Sequence, residues 1–232
     1  MYPRYEPVPM GGSDGPGRLY RYFDQRVPPT ASGQTSAVVL FVPGHAGHHE
    51  QVRSIGSEAM LAASARDLAI DFYTLSDGET LTAFDGSLLS GQARRVEAAL
   101  ATLTKRYAHA PTAGFYIVAH SMAGVATLEA VRRLAAAPSA TDSARSGGDS
   151  SGSDSAESRQ TLPLPPPLPI DAILLLGAPM QRPVIGCSAS LSRLHFRLRH
   201  SLRNLTADSA GDGDTDGAGS ALLGSLPAFG SI

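Results

Sequence analysis

The stretch FYIVAHSMAGVA, residues 115–126, decides the fold of this chain. It opens with an apolar run rich in β-branched and aromatic side chains, which is typical of a buried strand. From Met122 to Ala136 the residues favour a helix. The two parts meet at Ser121, so the sequence predicts a strand, a sharp turn that holds a serine, and a helix.

A strand, a tight turn with a serine and a helix together form the nucleophile elbow of α/β-hydrolases. The first amide of the helix then points at the oxygen that becomes negative when the serine attacks an ester. The usual pattern is Gly-x-Ser-x-Gly, and here it reads Ala119-His120-Ser121-Met122-Ala123, followed by Gly124. The alternative is an ordinary strand–helix crossover in which Ser121 caps the helix. Spacing alone leaves both interpretations open.

A second stretch predicts a ligand site at the same edge of the sheet. The continuous apolar run 37–42 is typical of a strand buried on both faces, and Pro43-Gly44-His45-Ala46-Gly47 ends it abruptly. In α/β-hydrolases, the loop after this early strand supplies the second amide of the oxyanion hole. A plain strand–helix turn would show the same residues, so this alternative also stays open.

Composition narrows the class of protein. The chain has 232 residues and 24.1 kDa, which is enough for one α/β domain with a sizeable core. Its formal net charge of -2 gives no reason to expect a nucleic-acid partner. Cys187 is the single cysteine, which excludes an internal disulfide. No apolar run approaches the ~18 residues that a transmembrane helix needs.

Three histidines, His45, His48 and His49, cluster in the loop after the 37–42 strand. Three histidines in one loop can indicate a metal site. The spacing is not that of a helix-borne histidine pair, and no cysteine or acidic triplet completes a ligand set. We therefore expect a polar loop at the mouth of the site, with no metal and no organic cofactor.

The remaining periodicities predict an α/β fold with a mostly parallel sheet, helices on both faces, and the last strands of the hydrolase fold lacking. Asp71, inside a strand, and Asp77, after it, could each face the site, but a strand-end aspartate more often caps a turn or pairs with a nearby base. The hydrolase domain comprises residues 1–137 and 170–203, interrupted by a disordered Ser/Gly/Pro-rich insertion at 138–169 and followed by a disordered tail at 204–232. The predicted elements are an edge strand 18–23, a helix 50–66, a strand 68–75, a helix 88–108, a strand 170–176 and a helix 190–203.

Several motifs in order resemble one family, the GPI inositol-deacylases. Residues 42–47 and 51–55, VPGHAG and QVRSI, resemble its VPGNAG…QVRSI signature. Residues 79–86, ETLTAFDG, resemble its ELSAF-G stretch, and residues 119–124, AHSMAG, resemble its GHSMGG elbow. The LLGAP segment at 175–179 resembles its L-x-TP segment.

The resemblance implies a lipase-like serine hydrolase of the endoplasmic reticulum membrane. Members remove the acyl chain, usually palmitoyl, from the inositol of GPI-anchored proteins, and this step aids export of the anchored cargo. The implied substrate is thus a GPI-anchored protein or the acylated GPI lipid. By the same resemblance Ser121 is the nucleophile, and the backbone amides of Met122, Gly44 and His45 form the oxyanion hole.

This chain departs from the family pattern in three places, one of which is Ala178-Pro179-Met180, where members have a Thr-Pro-His segment. The elbow glycines are Ala119 and Ala123. The acid and the histidine of the triad are not identifiable, because His195 and His200, the only histidines after Ser121, lie in a helix that comes too early in the fold. The acidic residues Asp208, Asp212, Asp214 and Asp216 lie in the tail.

We therefore expect an incomplete deacylase domain, whose activity the sequence leaves open. A serine without its base is a poor nucleophile. Two alternatives stand beside the deacylase: a soluble lipase or thioesterase that shares the elbow, and a non-catalytic module of the same fold that binds lipid or a protein partner.

Overall fold

The computed structural model describes residues 3–11, 18–27, 35–109, 114–136, 170–180 and 189–208. These residues form a six-stranded sheet in the order β1-β2-β4-β3-β5-β6. The four strands from β4 to β6 are parallel, whereas β2 runs antiparallel to both β1 and β4. The strands are β1 Arg4–Val8, β2 Arg18–Phe23, β3 Ala37–Val42, β4 Ile70–Ser76, β5 Gly114–His120 and β6 Ala172–Leu176.

Within the described residues, four α-helices cover the two faces of this sheet. They are α1 Arg53–Ser64, α2 Gly86–Arg106, α3 Met122–Ala136 and α4 Ala189–Asp208, and a 3₁₀ turn, His49–Val52, precedes α1. The start of α2 is fixed by its N-cap, because the Asp85 carboxylate accepts a hydrogen bond of 2.7 Å from the Ser87 amide. In the part of the chain that the structure describes, no helix is long and apolar enough to span a bilayer.

The continuous apolar run of β3 is buried on both sides because its side chains alternate between two cores. Val38, Leu40 and Val42 join the core under α2, α3 and α4. Val39 and Phe41 point to the opposite face, where Ile55 and Met60 of α1 and others pack against them. The leucines of α4 complete the first core: Leu191, Leu194 and Leu198. The predicted arrangement, a mostly parallel sheet with helices on both faces, is confirmed.

A polar cluster ties β2, β4 and the end of α2 together. The Asp71 carboxylate accepts hydrogen bonds from Arg21 at 2.5 Å, from Tyr107 at 2.5 Å and from Thr35 at 2.8 Å. Burial alone would raise the pKa of Asp71, but the hydrogen bonds from Tyr107 and Arg21 outweigh it and lower the pKa below its usual value. Asp71 is thus a structural carboxylate, paired with a base as the sequence suggested.

Some element predictions were exact and others were wrong. Strand 37–42 and helix 122–136 have the predicted bounds. The strand 18–23 was predicted at the sheet edge, but β1 pairs with it and takes the edge position. Helix α4 continues to Asp208, five residues past the predicted 203.

The insertion at 138–169 and the tail after 208 lie outside the described residues, so their predicted disorder stays a prediction. The same holds for the predicted lack of the last strands.

Candidate active site

Ser121 lies in a sharp turn between the C-terminal end of β5 and the first residue of α3. Its φ is +54°, a left-handed conformation that costs a non-glycine residue about 1–2 kcal/mol. Two backbone hydrogen bonds hold the turn: the Ser121 amide donates to the Leu176 carbonyl at 2.8 Å, and the Gly124 amide donates to the Ser121 carbonyl at 3.0 Å. A strained serine held by its surroundings is the geometry of a nucleophile elbow.

The residues around Ser121 show where the elbow is crowded. Ala119 and Ala123 are fully buried, so the fold accommodates a methyl group at both positions where the usual motif has glycine. The close approach falls at Gly124 instead. A Cβ there would stand 2.5 Å from Ala178 Cβ and 3.3 Å from Leu175 Cδ2. No local sequence pattern reveals this requirement, because Ala178 lies about 50 residues further along the chain.

The turn after β3 packs directly on the serine. A Cβ on Gly44 would lie 2.6 Å from the His120 carbonyl oxygen and 2.9 Å from Ser121 Cβ. The turn is tight, since the Gly47 amide donates to the Gly44 carbonyl at 3.0 Å. On the other side of Ser121, the amide of Met122 belongs to the first turn of α3, where N–H groups have no intrahelical acceptor. The structure therefore brings Gly44 and Met122, two of the three predicted oxyanion-hole residues, next to Ser121.

Buried contacts hold the Gly44 turn in place from behind. Gln92 is fully buried, and its Nε2 donates a 2.9 Å hydrogen bond to the Pro43 carbonyl. The Ala46 amide donates to the Thr80 carbonyl at 3.0 Å. The turn is thus anchored to α2 and to the loop after β4.

The side chain of His45 has a structural contact of its own. The Ala83 amide donates to its Nδ1 at 3.0 Å, which leaves the proton of a neutral imidazole on Nε2. The ring also meets Phe84 edge-on, with the centroids 4.9 Å apart. His45 therefore supports the loop after β4, while His48 and His49 contact each other, so the three histidines do not form one cluster.

The catalytic base is not visible at the serine. All seven histidines of the chain lie within the described residues, and none of them is hydrogen-bonded to Ser121 Oγ in that part of the chain. His120, beside the serine, is exposed. His195 is 3% exposed on α4, and burial together with the positive charge of Arg199 lowers its pKa. His200 is exposed on the same helix.

In the described part of the chain, none of the candidate acidic residues is seen in the role of the triad acid. Asp77 follows β4 and is buried, but its carboxylate accepts a hydrogen bond from Arg95 and so is paired with a base, as the sequence suggested. Asp212, Asp214 and Asp216 lie outside the described residues, and only the backbone of Asp208 is described. Among the described residues, no carboxylate–histidine pair faces Ser121.

A serine at positive φ between a central parallel strand and a helix, with a glycine turn against it, defines this site as that of an α/β-hydrolase. Residues 33–139 match the family described as the PGAP1-like alpha/beta domain. This part of the chain is thus similar to the PGAP1-like α/β domain, and the match includes Gly44, His45 and the whole elbow.

Proteins with curated names are also similar to part of this chain. The GPI inositol-deacylase of Drosophila melanogaster is 34% identical over 112 residues, which cover 46% of this chain and 11% of that protein. The GPI inositol-deacylase of Mus musculus is 38% identical over 96 residues, covering 39% of this chain and 10% of that protein. The chain is therefore related to the GPI inositol-deacylases over part of its length, and the match spans about a tenth of those relatives.

Solved structures are similar to this chain at lower sequence identity. A thermostable carboxyl esterase from Bacillus coagulans aligns over 93% of this chain and 54% of its own, with 11% identity and a TM-score of 0.44. The siderophore hydrolase EstB from Aspergillus fumigatus aligns over 91% and 55%, with 12% identity and a TM-score of 0.44. The fold is assigned here from the sheet order and the elbow themselves.

Proposed function

We propose that this domain is a carboxylic ester hydrolase of the GPI inositol-deacylase type, with Ser121 as its nucleophile. The observation that carries the proposal is the contact between the Gly44 turn and Ser121, whose φ is +54°. This contact supports the proposal because acyl transfer requires a serine oxygen close to backbone N–H groups. The names of the relatives support the substrate, a fatty acyl ester of the GPI inositol.

The reaction proceeds in two halves. Ser121 Oγ attacks the acyl carbonyl carbon and loses its proton to a base, while the carbonyl oxygen becomes negative. The amides of Met122 and of Gly44 or His45 stabilise that charge. The bond to the inositol oxygen then breaks, the inositol leaves with a proton, and the acyl group stays on Ser121. Water attacks this acyl-serine and releases the fatty acid.

Among the described residues, no base that would accept the proton of Ser121 Oγ is identified. Catalytic hydrogen bonds are often long in a free enzyme and tighten only when the substrate binds. His195 and His200 are the histidines that follow Ser121 in the chain, which is the order of the triad in this fold. They are therefore the residues to substitute first when the base is sought.

A location in the endoplasmic reticulum membrane and a role in the export of GPI-anchored cargo belong to the same proposal. Both are supported by the resemblance of the motifs to the deacylase family. Imaging of the full-length protein against a marker of the endoplasmic reticulum tests this part independently of the chemistry. A different compartment would contradict the location and leave the ester hydrolysis standing.

The test of the function is hydrolysis of an acylated GPI lipid with a labelled acyl chain. We expect release of the labelled fatty acid by the wild-type chain and none by Ser121→Ala. Turnover of short soluble esters without any release from the GPI lipid would favour a soluble lipase or thioesterase instead.

One observation favours a second candidate, a non-catalytic module that binds lipid or a partner. In the described part of the chain, no histidine contacts Ser121 Oγ through a hydrogen bond. Binding of acylated GPI lipid that survives Ser121→Ala, with no fatty acid released by either protein, would support this module over the enzyme.

A further inference from the structure

Two histidines and a glutamate lie together at the start of the 3₁₀ turn that follows β3. His48, His49 and Glu50 each offer one ligand atom, and these atoms all lie within 4.8 Å of one another. His48 Nδ1 is 3.9 Å from Glu50 Oε2. Against the expectation from sequence spacing that this loop binds no metal, we propose that these three side chains form a zinc site, which includes neither Ser121 nor the Gly44 turn.

His49 is already held in one orientation. Its ring stacks on Tyr20, with the centroids 4.2 Å apart and the planes at 15°, and it meets Tyr5 edge-on at 4.9 Å. Its backbone carbonyl accepts a hydrogen bond of 3.2 Å from Thr74 Oγ1. A ligand that is fixed before the ion arrives loses little conformational freedom on binding, so His49 is a preorganised donor.

His49 also has a buried ring nitrogen that lacks a hydrogen-bond partner among the described residues. Its Nδ1 is buried, and among the described residues nothing hydrogen-bonds to it. A buried polar atom without a partner is costly, and a bond to a metal ion would satisfy it.

The donor set suits zinc. Two imidazoles and one carboxylate are a set that Zn²⁺ accepts while it keeps water in a fourth position. Mg²⁺ and Ca²⁺ prefer oxygen ligands, so a site with two imidazole nitrogens favours neither of these ions. With zinc–ligand bonds of about 2.1 Å, two donors in a tetrahedral site stand about 3.4 Å apart.

The donors must therefore move closer by up to about 1.4 Å, given the observed separation of at most 4.8 Å. The two outer ligands can make that movement. The side chains of His48 and Glu50 are 39% and 66% exposed, so they can rotate toward a fixed His49 and admit both ion and water. A bound ion would tie the segment between the Gly44 turn and α1, and through His49 it would fasten that segment to Tyr5 and Tyr20.

Calorimetric titration of the 232-residue chain with Zn²⁺, in buffer without chelator, tests the proposal. We expect one ion per chain with a dissociation constant in the micromolar range or below. His48→Gln and Glu50→Gln should each weaken zinc binding at least about tenfold. Even mutation of a residue that only hydrogen-bonds to a metal ligand lowers metal affinity by about that factor. His49 is not substituted, because its ring packs against two tyrosines.

The matched control is His109→Gln, which alters an exposed histidine outside the group and should bind zinc as the wild type does. Circular dichroism establishes that each variant keeps its fold, and Glu50→Gln is a safe second variant because the side chain is largely exposed. The proposal is overturned if no heat of binding is seen, or if both variants bind zinc as tightly as the wild type.

Discussion

Gly44 lies so close to Ser121 that a Cβ on the glycine would stand 2.9 Å from the Cβ of the serine. The two residues come from turns after different strands, β3 and β5, which are neighbours in the sheet. Their contact brings the proposed nucleophile against the proposed second oxyanion donor, and it leaves no room for a side chain on the glycine. The central functional claim therefore depends on this pair.

Gly44→Ala should disable the site while the sheet stays folded. The added methyl group meets the His120 carbonyl oxygen at 2.6 Å, so the turn must shift away from Ser121. Loss of one oxyanion donor typically lowers the rate by about 10²–10³-fold. The rate of fatty acid release measures this. Gly11→Ala is the control, because a Cβ there meets nothing within 4 Å. Equal activity of the two variants would contradict an oxyanion role for the turn.

Gln92→Leu should loosen the same turn from behind. The substitution keeps the apolar bulk but leaves the Pro43 carbonyl without its 2.9 Å hydrogen bond. A buried unsatisfied acceptor costs about 1–3 kcal/mol, which urea unfolding can measure, and we expect a parallel loss of fatty acid release. Gln51→Leu, an exposed position before α1, should change neither. An unaltered free energy of unfolding for Gln92→Leu would show that the bond contributes nothing.

Two glycine-to-alanine changes in helices should have opposite signs. At Gly124 a Cβ would stand 2.5 Å from Ala178 Cβ, and overpacking of this kind costs about 1–3 kcal/mol. At Gly91 of α2 the nearest atom is 3.5 Å away, on a flexible arginine, so alanine should stabilise the helix by up to about 1 kcal/mol. Thermal unfolding of both variants is the measurement. A stabilised Gly124→Ala would mean that α3 does not pack against the segment after β6.

Asp71→Asn should destabilise the fold in a pH-dependent way. The hydrogen bonds from Tyr107 and Arg21 lower the pKa of Asp71, so its ionised form stabilises the folded state. That contribution is complete above the unfolded pKa, near 3.9, and is lost as the pH falls through the lower folded value. We expect a deficit of about 1–3 kcal/mol at pH 7 that shrinks below pH 4.

Urea titrations at pH 7, 5, 3 and 2 follow that deficit. Asp67→Asn, the same change at an exposed residue, should show none. A deficit for Asp71→Asn that stays constant down to pH 2 would contradict the assigned cause.

The sequence predicted the parts of the fold that depend on local pattern. The run at β3 is apolar at every position, and α3 follows Ser121 without a break, so both had exact bounds. Strand β1, Arg4–Val8, contains two charged residues and a proline, and only its pairing with β2 makes it a strand. Its periodicity alone could not reveal it.

In the candidate site, too, the predictable residues are those that stand in a local motif. Ser121 and Gly44 stand in recognisable motifs, so their roles could be proposed from sequence. The contacts that Gln92 and Gly124 make could not be predicted, because each acts on a segment about 50 residues away in the chain. The base depends on how a histidine approaches Ser121 in space, which no motif in this chain encodes.

The most direct test of the central claim is labelling of the 232-residue chain with a fluorophosphonate probe, which reacts with an activated serine and not with an ordinary one. Ser121→Ala, checked for folding by circular dichroism, is measured beside it. The account predicts that the wild type is labelled and that Ser121→Ala is not. No labelling of a folded wild type, or labelling that survives the substitution, would contradict the assignment of Ser121 as the nucleophile.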